Sequence, residues 1–208
     1  EFRRVLFRSK TCYNNNEVRN VYKKYLQKLY ELLALEYNCS PDDFLKDENV
    51  LTVSKLQSGS RNYSGKRYFF SMVTLGRNTV VTADEVMQPF LSGLVKSVSG
   101  HWLFSVPEMM KINDELKKYG YELTASHHML LPCRETEPVR DIPVKWFYDR
   151  EIDRFYGDER FTHALCEKYL PERPDRIAVC AYDGDRIMGM AGCSEDAPHW
   201  MQIGIDVC

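Results

Sequence analysis

From residue 17 to about 37, Val21, Tyr25, Leu26, Leu29, Leu32 and Leu33 recur at helical spacing with Lys and Glu between them. That spacing predicts a long amphipathic helix. Ser40, Pro41 and Asp43 then supply a cap, a first-turn proline and an acidic first turn for a short second helix through Leu45. Residues 67–75 and 79–82 are rich in β-branched and aromatic side chains and are separated by Gly76, Arg77 and Asn78, which predicts a hairpin or two neighbouring strands. Asp84 and Glu85 open a helix to about Val98, and Val106-Pro107-Glu108 open another that runs to Tyr119 and stops at Gly120. Residues 121–131 follow as a strand closed by Pro132.

The stretch 134–143 is charged, holds two prolines and lacks periodicity, so it is the expected linker between a domain at 10–133 and another at 144–208. Beyond it, apolar Ile152, Phe155, Phe161, Ala164 and Leu165 predict a helical stretch over 149–169, interrupted near Gly157. Strands are then expected at 176–182, 186–193 and 200–207, the first two joined by the tight turn Asp183-Gly184-Asp185. In the last strand, alternation puts Gln202, Gly204 and Asp206 on one face and Ile203, Ile205 and Val207 on the other. Helices interspersed with strands give a mixed α/β (α+β) class.

Composition narrows the function classes. The chain has 208 residues, 44% hydrophobic and 28% charged, with no apolar run long enough to span a bilayer. Residues 1–9, EFRRVLFRS, are what a common short-read sequencing adapter encodes in one reading frame, and are expected to be an artefact outside the fold. Without their three arginines and one glutamate the formal charge moves from −2 to −4, a poor match to a nucleic acid or membrane partner. Seven dispersed cysteines without a CxxC pair read as reduced thiols in a cytoplasmic protein. His127 and His128 are adjacent, so on a strand they face opposite ways, and no metal site is expected.

The run RIAVCAYDGDRIMGMAGCSEDAPHWMQIGIDV, residues 176–207, resembles the central strands of GNAT-type N-acetyltransferases: strand, Asp-Gly hairpin, a strand bearing Gly189, then a strand ending in Ile205-Asp206-Val207. The resemblance covers about residues 143–208. It implies an acyl-CoA N-acyltransferase-like mixed sheet with flanking helices, in which an N-terminal α/β domain precedes part of a GNAT domain. It also implies acetyl transfer from acetyl-CoA to a small-molecule or peptide amine. The family's pyrophosphate-binding loop is expected beyond Cys208, so residues 10–208 alone are expected to bind acetyl-CoA weakly or not at all and to be inactive.

By the same resemblance, main-chain groups of Ile205, Asp206 and Val207 bind the pantetheine arm, as an extended ligand added to a strand edge. Asp206 and His199 are the candidate catalytic residues, being the polar titratable groups nearest the expected acetyl position. The bland readings are a turn cap for Asp206 and an ordinary loop residue for His199. Trp146, Phe147 and Tyr148 either line an acceptor cleft or pack the domains, and Met109 and Met110 are expected in the core. Tyr119-Gly120-Tyr121 resembles a turn in the back half of the same fold, which would make 10–133 a degenerate acetyltransferase-like domain. That idea requires residues 67–75, 79–82 and 121–131 to share one sheet. The rival functional class is a non-catalytic α/β ligand-binding or regulatory module. Composition leaves the oligomeric state and the acceptor open.

Overall fold

A computed structural model describes residues 16–61, 65–124, 126, 129–131 and 142–208. They fall into two compact units, one within Glu1–Ser60 and Lys66–Glu135, the other within Arg61–Gly65 and Thr136–Cys208. The expected linker at 134–143 and the pair His127 and His128 lie almost wholly outside the described residues, as does the segment 1–9.

In the first unit, helix α1 (Asn16–Glu36) is followed by the short 3-10 helix Pro41–Leu45. The Ser40 side chain accepts from the Asp42 N–H while Asp43 reaches back to the Ser40 N–H, so both orphan donors are met. Strands β1 (Val50–Val53), β2 (Phe70–Thr74) and β3 (Thr79–Ala83) form one sheet in the order β1-β3-β2. β3 lies in the middle and is buried along its whole length, parallel to β1 and antiparallel to β2. Helices α2 (Gln88–Ser97) and α3 (Val106–Lys117) close the core, with Val81, Met87, Leu91, Leu103, Ile112 and Leu116 inside it. Met110 is exposed on α3, not in the core as expected.

The described residues of 121–131 join no strand. Instead Tyr121 stacks on Phe69, and the Leu123 N–H donates to the Asn113 side chain, so side chains of α3 and the loop before β2 tie this segment down. Among the described residues, the three segments required for a second acetyltransferase-like sheet therefore do not share one.

The second unit is a four-stranded antiparallel sheet in the order β4 (Val144–Tyr148), β5 (Asp175–Asp183), β6 (Arg186–Ala197), β7 (Trp200–Val207). Gly184, at φ 58, makes the β5–β6 turn without a Cβ penalty. Between β4 and β5 the expected long helix is replaced by two 3-10 helices, Asp149–Phe155 and Glu159–Phe161. The break follows from Gly157 at φ 83 and from Asp158, whose carboxylate accepts from the Arg160 N–H and starts a new turn.

This segment lays Ile152, Phe161, Ala164 and Leu165 over Ala178, Cys180 and Met190, closing one face of the sheet. On the other face the rows Trp146-Val179-Ala191-Ile205 and Tyr148-Ile177-Cys193-Ile203 run across all four strands. Trp146, Tyr148, Ile203, Ile205 and Val207 are each more than half exposed there. No helix among the described residues is long and apolar enough to cross a membrane.

Candidate functional site

The site grows out of two glycines. Gly192 of β6 and Gly204 of β7 are directly opposite each other, and their row on the covered face reads Phe147, Ala178, Gly192, Gly204. Side-chain bulk thus falls away toward β7, and the backbone at 163–164 drops into the space left. A Cβ on Gly192 would sit 1.8 Å from the Ala164 carbonyl oxygen, and one on Gly204 would sit 1.7 Å from that of His163. Only glycine permits this approach.

Two carboxylates on the sheet hold the loop in the slot. Asp206 Oδ2 accepts from the N–H groups of His163 at 2.9 Å and Ala164 at 2.8 Å, and its Oδ1 is 2.7 Å from His163 Nδ1. Burial works to raise the Asp206 pKa. The Ala164 N–H, the His163 ring and the His163 N–H outweigh it and hold this carboxyl below the usual carboxylate value. Asp175, at the start of β5, accepts from the Cys166 N–H through Oδ2 at 3.1 Å. Burial pushes its carboxyl up, against the opposing pull of the Cys166 N–H. Arg173 bridges to Asp196, and its Nη2 reaches Gln202 Oε1 on β7.

The expected candidates are only partly brought together. Asp206 serves as a cap, but for the 163–164 loop rather than for a turn after β7. His199 occupies the β6–β7 turn at φ 68, at the opposite end of an eight-residue strand. At about 3.3 Å per residue the two are separated by about 23 Å along the chain. The histidine that does meet Asp206 is His163, 43 residues away in sequence and 80% exposed on its side chain.

The edge itself has a definite polarity. The Cys208 N–H donates to the Met188 carbonyl at 2.9 Å. In an antiparallel ladder such pairs alternate, so Gln202, Gly204 and Asp206 direct their main-chain groups at β6, while Ile203, Ile205 and Val207 direct theirs away from it. Among the described residues β7 is the last strand of its sheet, so those outward N–H and C=O groups lie on an open edge. Of the three expected cofactor-binding residues, Ile205 and Val207 thus offer main-chain groups to that edge, whereas those of Asp206 are turned to β6. Trp146 and Tyr148 line the opposite face of the sheet from His163, and Phe147 packs edge-on to Phe155 at 4.9 Å. Among the described residues no three His, Cys, Asp or Glu side chains gather as a metal site.

Comparison with protein-family models, with characterised proteins and with solved structures finds no match to the chain.

Proposed function

We propose that the second unit is part of a CoA-dependent N-acyltransferase of the GNAT type, which transfers an acetyl group from acetyl-CoA to an amine. The observation that carries this reading is the open edge of β7, where the main chain at Ile205 and Val207 is free to bond an extended amide-containing arm. Three consecutive antiparallel strands with the Asp-Gly turn between the first two also support it. An outward N–H aimed at the thioester oxygen stabilises the charge that develops there when the amine attacks. Extended pantetheine fits the edge because its two amides pair as a further strand would.

The test uses S-acetylpantetheine, which lacks the diphosphate and so probes the edge alone. Val207→Pro deletes one outward N–H and no ladder bond, and extended backbone at an edge admits proline. Saturable binding in the millimolar range is expected for the wild type by NMR titration, weakened at least about tenfold in Val207→Pro, with the thermal midpoint retained. Equal binding by the variant, or none by the wild type, contradicts the reading and leaves the non-catalytic module in its place.

A further inference from the structure

We propose that His163 is the general base of this transfer and that Asp206 is its positioning residue. The assignment rests on the acyl-transfer reading above. Three observations converge on it. Asp206 sits between Ile205 and Val207, the two residues whose main-chain groups face the open edge, so the histidine bound to it stands at the same strand end. The ring is tied through Nδ1 to Asp206 Oδ1 at 2.7 Å while most of its side chain remains exposed to an incoming amine. The backbone that carries it cannot drift, because it is seated in the Gly192/Gly204 slot and pinned by two N–H bonds to Asp206 Oδ2.

The hydrogen-bond inventory then fixes the tautomer. An ionised carboxylate only accepts, and Asp206 already accepts two main-chain N–H groups. The neutral His163 ring therefore carries its proton on Nδ1, which leaves a lone pair on Nε2 facing outward. A neutral amine attacks the thioester carbonyl, forming the C–N bond, and the resulting ammonium gives its proton to Nε2. As the C–S bond breaks, the imidazolium returns that proton to the departing thiolate, and amide and free thiol are the products. No oxidant, metal or covalent enzyme intermediate enters the balance.

The decisive experiment pairs a spectroscopic readout with a rate, both on the 208-residue chain. Imidazole ¹⁵N shifts should show neutral His163 as the Nδ1–H tautomer in the wild type and the Nε2–H tautomer in Asp206→Asn, whose amide can donate to Nδ1 but leaves it nothing to donate to. With millimolar S-acetylpantetheine, a concentration that offsets weak capture of the thioester, and a panel of spermidine, tyramine, glycinamide and a lysine peptide, wild type should release thiol slowly in an amine-dependent way. With acetyl-CoA itself the chain is expected to be inactive. His163→Gln, at an exposed position, should lower that rate at least about 100-fold. An Nε2–H tautomer in the wild type, or thiol release unchanged by His163→Gln, overturns the base assignment while acyl transfer stands. No amine-dependent release by the wild type overturns the acyl-transfer reading and the base with it.

Discussion

Gly204→Ala should destabilise the C-terminal sheet by about 3 kcal/mol, the upper range for forcing atoms into a packed site. Its new methyl would meet the His163 carbonyl oxygen at 1.7 Å, and that of Gly192→Ala would meet the Ala164 carbonyl oxygen at 1.8 Å. Backbone is in the way in both cases, so no side-chain rotation relieves the clash. The loop at 163–164 must lift, taking with it the three contacts to Asp206. Gly189→Ala is the control, because its methyl would meet its nearest neighbour, the Asp206 carbonyl oxygen, at 3.0 Å. The backbone there must give by only a few tenths of an ångström, so its cost should be clearly smaller than that of Gly204→Ala. Urea unfolding of the three variants reads the difference, and a Gly204→Ala midpoint equal to that of wild type would show that the loop does not occupy the slot.

Asp206→Ala should cost about 2 kcal/mol near neutral pH, since it removes a charged acceptor from two main-chain N–H groups and a ring N–H. This effect must depend on pH with a definite sign. The folded-state pKa of Asp206 lies below the unfolded value near 3.8. The group therefore contributes fully above that unfolded value and loses its contribution as pH falls through the depressed folded value. Wild type and Asp206→Ala should differ most at neutral pH and converge toward strong acid when unfolding is followed across a pH series. A gap that persists unchanged into strong acid would mean that Asp206 does not anchor the loop as a carboxylate.

Much of the architecture was readable from local pattern. The amphipathic α1, the Ser40 cap, the β2–β3 hairpin and the last three strands all depend on signals within a few residues. β1 was missed because Val50–Val53 is short and its identity comes from a parallel partner, with Val50 opposite Val80. β4 shows in the sequence only as three aromatics, since Val144–Tyr148 is a strand by virtue of pairing with β5. The predicted helix over 149–169 failed because its apolar residues each anchor to the sheet separately once Gly157 breaks the spacing.

The site divides in the same way. Alternation along 202–207 correctly separated Asp206 from Ile205 and Val207, because a strand's two faces follow from its period alone. His163 carries no local mark in Phe-Thr-His-Ala and reaches Asp206 only through the fold. The signal that was present is a pair of glycines on adjacent strands beside an aspartate with no sequence-near donor. His199 is near Asp206 in sequence only, a nearness that an extended strand converts into distance.

The central claim is that the open edge of β7 takes up a thioester arm as an added strand, and amide hydrogen exchange read residue by residue tests it most directly. With saturating S-acetylpantetheine, the N–H groups of Ile205 and Val207 should slow their exchange at least about tenfold, and those of Gly204 and Asp206, already turned to β6, should not change. Protection that ignores this alternation, or that falls on the first unit while β7 exchanges as before, would contradict it.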